Sequence, residues 1–494
     1  MGRFFNLCSL FDERRRGYSM NVQSTSPVAI IGAGPVGLAA AAHLAQRSIP
    51  FKVFEAGAQV GANLRSYRQV RLFSPWRYNV DRAARELLGA AGWQAPDEDL
   101  LPTAGELVDS YLEPLAGSHA LAPYIQYATR VIAISREGFD KTKTAGRDCA
   151  DFVLQLQSGE GLREQRARAV IDASGTWLQP NPLGNHGLPA IGEVEARARI
   201  AYGMPDILGA DRARYAGRKV LVVGSGHSAA GNLLALSKLA QQVPGTRLAW
   251  AVRGKDLRRL FGGGENDGLP ARGELGLLLR QLVERDQLEM HLGFGIHEIV
   301  CATEGLRILA ESAQLPAIEG VEQIVAATGS RPDLLMTREL RLRLDPWLES
   351  TDALAPLIDP NVHSCGTVRP HGHRELAHPE PNFYAIGAKS YGRAPNFLMA
   401  TGYEQARSVV AALAGDMSAA DDVRLELPET GVCASDFGAV GVAVEGACCG
   451  GSVTTAVGVS GLVAKPREAQ ERAACCGTPA QPIKAAATRS ACCG

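Results

Sequence analysis

Three glycines spaced as Gly32-x-Gly34-x-x-Gly37 stand between the apolar run Val28 to Ile31 and the helical pattern Val36 to Gln46, and Glu55 closes the next apolar run, Phe51 to Phe54. This spacing suits a pyrophosphate. The first glycine allows a tight turn, the second lets backbone amides approach the phosphates, and the third lets helix pack on strand. The helix N-terminus, reached through Pro35 and Val36, faces the negative charge. A carboxylate at Glu55 can take the hydroxyls of an adenosine ribose and disfavours a 2′-phosphate, so FAD or NAD fits. The competing reading is a glycine-rich turn without ligand.

A second turn, Gly224-x-Gly226-x-x-Ala229, carries His227 and Ser228 at the start of its helix. Its following strand, Arg247 to Val252, ends in Arg253, with Lys255, Arg258 and Arg259 close behind and no acid. Charge is thus reversed at the ribose position. A guanidinium there can clamp a 2′-phosphate, which favours NADPH over NADH, unless the segment is merely a solvated basic loop. His227 is expected beside the nucleotide rather than as a base.

These residues need two strand–turn–helix–strand units to hold them. The first starts at Val28. The second runs from Lys219 to Val223 through a helix at Ser228 to Leu239. Each is closed by a small-residue phrase, Val170 to Gly175 and Ile324 to Gly329, which lets backbone approach a ligand at the carboxyl edge of a parallel sheet. Ala173, Ser174 and Gly175 therefore join the first site, and Ala327, Thr328 and Gly329 the second. Gly387 joins the first from a loop after the strand Phe383 to Ile386, ahead of a helix from about Thr401. The expected fold class is α/β, with two Rossmann-type, doubly wound domains, the second inserted in the first. The expected divisions are an N-terminal extension (1–26), the first part of an FAD domain (27–182), an NADPH domain (183–333), the second part of the FAD domain (334–415) and a flexible tail (416–494).

The chain has 494 residues, a formal net charge of -1 and 46% hydrophobic residues, enough for several buried cores and no summed field for nucleic acid or an anionic membrane. The longest apolar stretch, Val28 to Ala45, is interrupted by glycines and a proline, which speaks against a membrane span. Residues 1–18 place apolar groups before charged ones, the reverse of a secretory signal, so a cytoplasmic location is expected. Small-molecule partners follow; oligomeric state is left open. Of eleven cysteines, seven follow residue 430, six of them as adjacent pairs in a thrice-repeated Ala-Cys-Cys-Gly: Cys448 and Cys449, Cys475 and Cys476, Cys492 and Cys493. Adjacent thiols make a strained disulfide but good soft ligands, so they are candidate ligands for trivalent arsenic, antimony or mercury, against the plainer reading of a biased terminus. His371 and His373 are read as solvated rather than as metal ligands.

Together the two glycine turns make the region from Val28 to Ala414 resemble the two-dinucleotide-binding flavoproteins, which include flavin-containing monooxygenases and pyridine nucleotide-disulfide oxidoreductases. The stretches Ala173 to Pro180 and Gly224 to Ala229 look like the monooxygenase versions, in which the first supports FAD and the second NADPH. One departure is that the monooxygenase fingerprint Phe-x-Gly-x-x-x-His is missing. The reductase alternative departs too, having no Cys-x-x-Cys or Cys-x-x-x-x-Cys. Lys389 to Phe397, Phe73-Ser74-Pro75-Trp76 and the cysteine pairs resemble flavin monooxygenases of bacterial arsenic-resistance operons. The resemblance implies hydride transfer from NADPH to FAD, use of O2, and oxidation of arsenite or methylarsenite. Alternatives are a metal or thiol reductase fed by the cysteine pairs, and a metalloid-binding flavoprotein without turnover. Trp76, Arg77 and Asn79 are the candidates for contact with the isoalloxazine.

Overall fold

A computed structural model describes residues 25–255, 270–285, 287–363 and 368–425. Strand β1 (Val28–Ile31) leads through the first glycine turn into helix α1 (Pro35–Gln46) and strand β2 (Phe51–Phe54). Helix α2 (Arg82–Ala90), the short β3 (Ile125–Gln126) and an antiparallel ribbon of β4 (Arg130–Arg136), β5 (Phe152–Ser158) and β6 (Gly161–Ala167) follow before β7 (Ala169–Asp172) returns to the sheet. The second unit contains β8 (Ile200–Tyr202), β9 (Lys219–Val223), α3 (His227–Gln242), β10 (Arg247–Val252), α4 (Pro270–Glu284) and β11 (Glu289–Leu292). It closes with a second ribbon, β12 (Ile296–Ala302), β13 (Gly305–Ala310) and β14 (Ile318–Val321), and with β15 (Gln323–Ala326). The chain then rejoins the first unit with β16 (Phe383–Ala385) and helix α5 (Met399–Leu413).

The first sheet has the order β16-β7-β1-β2-β3 and the second β11-β10-β9-β15-β8, with every pairing parallel. Both have the doubly wound arrangement in which the strand following the glycine turn and the strand ending in small residues flank the first strand. Strand β1 is covered on two faces, which is why it reads as an unbroken apolar run. Val28 and Ile30 pack with the helices, while Ala29 and Ile31 pack with Ile134, Phe152, Leu154 and Leu156 of the ribbon. In the second unit Val220 and Val222 face α3 and α4, and Leu221 and Val223 face the second ribbon. Each body is therefore three layers, helix, parallel sheet and antiparallel ribbon.

Most element bounds agree with the sequence reading; α1 and α3 begin one residue earlier than expected and α5 two. The ribbons were not expected, although β5 carries a plain period-two pattern, with Phe152, Leu154 and Leu156 buried and Gln155 and Gln157 exposed. The folded body also runs past Gly415. Asp416 caps a further helical turn, Met417–Asp421, whose Ala420 carbonyl accepts the Ser408 hydroxyl of α5 at 2.7 Å, so residues 416–421 pack on α5. No helix among the described residues is long and apolar enough to cross a membrane.

Candidate functional site

The first glycine turn opens on a cleft of about 650 Å³. Gly32 holds φ at +98°, and a side chain there would come within 2.9 Å of the Ala173 carbonyl, so the turn and the small-residue end of β7 lie back to back. Space is open where a Gly34 side chain would project. Pro35 is the first residue of α1, and no side chain caps that end, as fits a helix terminus that presents its amides to an anion. Gly32, Gly34, Pro35, Val36, Glu55, Ala173, Ser174, Gly175 and Gly387 all line the cleft; Gly37 instead packs inside the turn against Gly32.

Glu55 is nearly buried, and the backbone already engages both its oxygens: Oε2 accepts the Ala33 N–H and Oε1 the Gly57 N–H, each at 2.7 Å. The carboxylate is thus fixed in place before any ribose arrives. One acceptor site remains on each oxygen, which is what two hydroxyls require.

The second turn repeats the first. Gly224 holds φ at +133°, and a Cβ there would overlap the Ala327 carbonyl. Below it the Trp250 indole N–H donates to the Gly224 carbonyl at 2.8 Å, a buried lock that sequence spacing did not reveal. His227 begins α3 and meets Phe73 edge-on, with ring centroids 5.3 Å apart. Ser228 and the buried Ala229 follow. Arg253 is exposed at the end of β10, where it reaches the Asn185 carbonyl at 3.5 Å, while Arg258 and Arg259 lie outside the described residues. The two crossings between bodies are tied together: the Thr328 hydroxyl donates to the Asn181 carbonyl at 2.5 Å, Asn181 returns a bond to the Thr328 carbonyl, and Ser330 meets Thr176 at 2.9 Å. Gly329, at φ +80°, turns the chain there.

Several candidate residues lie away from the cleft lining. Trp76, Arg77 and Asn79 are not among the described residues that line the cleft. Trp76 and Asn79 are buried, and the Asn79 amide is spent on the Ser74 and Pro75 carbonyls, while Arg77 pairs outward with Asp99. His371 and His373 are not solvated. His371 is buried and sits against Gln405, which fixes the Gly387 amide at 2.7 Å, and His373 pairs with Asp421 at 2.8 Å. The six paired cysteines and most of the expected N-terminal extension lie outside the described residues.

Other cleft residues were given no role in the sequence reading. Tyr67, Leu72, Trp177, Phe397 and Met399 form an apolar part of the lining, with the Tyr67 and Trp177 rings 4.5 Å apart. Burial pushes the Tyr67 phenol up to about 12, so it remains a hydrogen-bond donor at neutral pH. Lys389, two residues beyond Gly387, reaches back to the Ser174 hydroxyl at 3.2 Å.

Near the cleft, burial pushes His378 down to about 4. A histidine lowered in the folded state contributes its full share of stability above the unfolded value, near 6.5. That share is lost as pH falls from 6.5 toward 4, because the unfolded chain takes the proton first. The predicted loss is about 2–3 kcal/mol over that window. Urea midpoints of the wild type and His378→Phe across pH 4–7 check it: the gap between them should narrow on acidification. A constant gap would show that His378 does not titrate abnormally.

Residues 30–93 match the family of NAD(P)-binding Rossmann-like domains. The chain is 37% identical over 131 residues to a putative flavin-containing monooxygenase 2 of Arabidopsis thaliana, covering 26% of each chain. It is 30% identical over 205 residues to an indole-3-pyruvate monooxygenase of Oryza sativa subsp. japonica, covering 40% of this chain and 42% of the relative. The chain therefore spans less than half the length of these curated relatives. Among solved structures it resembles a bacillithiol disulfide reductase from Bacillus cereus (TM-score 0.58, 18% identity, 79% of this chain and 99% of that one). It also resembles an ornithine N-hydroxylase from Kutzneria sp. 744, whose structure contains reduced FAD, NADP+ and L-ornithine (TM-score 0.54, 16% identity, 80% and 99%). Two complete dinucleotide folds, one inserted in the other and each with its glycine turn closed by a small-residue strand end, are the fold this chain shares with those solved structures.

Proposed function

We propose that the chain is an NADPH-dependent flavin monooxygenase, with FAD in the cleft beside Glu55 and NADPH at the turn beside Arg253. The observation that carries this reading is the opposite charge at the two equivalent strand ends: a fixed carboxylate in one body and an exposed guanidinium in the other. Bound there, FAD would take hydride from the nicotinamide and, once reduced, activate dioxygen. The chain's own part is to bind, orient and exclude water. The α1 terminus and Gly34 would face the pyrophosphate, Gly175 and Gly387 line the cleft, and the Tyr67–Trp177 pair covers an apolar stretch of its wall.

Arg253→Glu should replace a phosphate clamp with a like charge. One charge-assisted hydrogen bond is worth about 1.5–3 kcal/mol, so the NADPH Michaelis constant should rise roughly ten- to hundredfold and the NADH one far less. Equal changes for both cofactors would remove Arg253 from phosphate recognition.

The substrate that best suits the sequence is a soft trivalent centre, arsenite or methylarsenite, oxidised to the pentavalent form. The support is chemical: the paired thiols bind thiophilic elements, and an oxygen atom delivered by a flavin goes readily to a soft lone pair. Truncation after residue 425 tests the role of the pairs. If they capture substrate, the truncated protein keeps its flavin but needs more arsenite to reach the same rate. If they carry electrons, as in a metal reductase, the maximal rate falls at every substrate concentration. Unchanged kinetics would withdraw the arsenic assignment.

A further inference from the structure

Behind the cleft wall lies a small chamber of about 20 Å³, enough for one water molecule. Four buried polar atoms that find no hydrogen-bond partner belong to residues lining it: Asp172 Oδ2, Ser350 Oγ, Thr351 Oγ1 and His378 Nε2. Unsatisfied buried polar atoms are rare and costly, and four around one small space are not four separate accidents. Their hydrogen-bonding characters are complementary. The Arg343 N–H donates to His378 Nδ1 at 3.3 Å, so in the neutral ring Nε2 carries the hydrogen and is a donor. Asp172 Oδ2 is an acceptor, and each hydroxyl can serve either way. A single water can accept from His378 and one hydroxyl and donate to Asp172 and the other, which completes its tetrahedron.

A metal cation does not suit the same space. The Lys389 ammonium already stands 3.2 Å from Asp172 Oδ2, and His378 Nε2 has no lone pair to offer. Glu349, which also lines the chamber, is taken by Arg331.

The chamber touches the cleft through Lys389. Its Nζ donates to the Asp333 carbonyl at 2.6 Å and to the Ser174 hydroxyl at 3.2 Å, and Ser174 lines the cleft. Asp172 Oδ1 meanwhile accepts the Ser174 amide at 3.1 Å and its hydroxyl at 2.6 Å. We propose that the chamber is a built site for one ordered water, which locks the Asp172–Lys389 pair against the Ser174 wall of the cleft. The fixed dipole of that pair adds to the field felt by any ligand in the cleft. For bound flavin it sets part of the reduction potential. This consequence rests on the FAD reading above; the water site does not.

Crystals of the purified protein at high resolution test the site itself. One density peak within hydrogen-bonding distance of Asp172 Oδ2 and His378 Nε2 is expected. An empty chamber, or an ion at the shorter distances of metal coordination, would overturn the site. Two variants then test its role in the flavin-loaded protein. Ser350→Ala with Thr351→Val removes two partners of the water, and Asp172→Asn with Lys389→Met removes the pair without stranding a buried charge. Both should shift the flavin reduction potential, the second more than the first. A lowered thermal midpoint with an unshifted potential in both would reduce the water to a packing element and overturn its electrostatic role. If the protein takes up no flavin at all, the FAD reading fails while the density in the chamber still decides the site.

Discussion

Glu380→Gln is expected to lower stability by about 3–5 kcal/mol, enough to unfold much of the population of a marginally stable protein. The Glu380 side chain is almost wholly buried between two guanidiniums that are buried as well. Arg136 donates from Nε to Oε1 at 2.7 Å, Arg147 from Nη2 to Oε2 at 2.8 Å, and the Arg341 amide adds a bond to Oε2 at 2.9 Å. Burial alone would raise the Glu380 carboxyl, but these donors hold it below its ordinary value, so it stays ionised at neutral pH. Glutamine keeps the shape and removes the charge, leaving two buried cations with no counter-ion. The cluster joins β4, the turn at Arg147 and the segment entering β16, so its loss should loosen the ribbon from the first sheet. Urea unfolding at pH 7 measures this; a shift below about 1 kcal/mol would mean that water reaches the cluster and screens it.

Gly34→Val should yield colourless protein. The space above Gly34 is empty, so the variant fits the fold itself and its effect falls on whatever ligand approaches the turn. A branched side chain there stands where the pyrophosphate would lie, and moving a pyrophosphate away from the amides of the helix end removes several hydrogen bonds at once. The wild type should purify yellow with close to one flavin per chain, while the variant should keep its fold by circular dichroism and lose nearly all flavin absorbance. Normal flavin content in the variant would move the FAD site elsewhere.

What the sequence made legible follows from how local each signal is. A strand, a glycine turn and a helix follow one another directly in each unit, so the turns at Gly32 and Gly224, the acid at Glu55 and the base at Arg253 could be placed by spacing alone. The strand ends at Ala173 and Ala327 could be paired with those turns because each repeats the same small-residue phrase. Long-range features gave no such signal. Trp250 locks Gly224 across adjacent strands, Lys389 reaches Ser174 across 215 residues, and the Arg136–Glu380 bond joins residues 244 apart. Polarity misled at Asn79 and His371, since a buried polar side chain that is fully hydrogen-bonded looks the same in sequence as an exposed one. The ribbons could have been found from the alternation in β5, a signal that the stronger glycine motifs overshadowed.

The central claim is that one chain joins FAD, NADPH and dioxygen in a single reaction, and simultaneous recording of NADPH oxidation and oxygen uptake by the purified flavin-loaded protein tests it most directly. NADPH should be oxidised faster than NADH at equal concentration, and oxygen should be consumed in step with it, faster when arsenite or methylarsenite is present. NADPH oxidation that continues unchanged without oxygen would contradict the monooxygenase reading and make the chain a reductase, and no NADPH oxidation under either condition would leave it a nucleotide-binding flavoprotein without turnover.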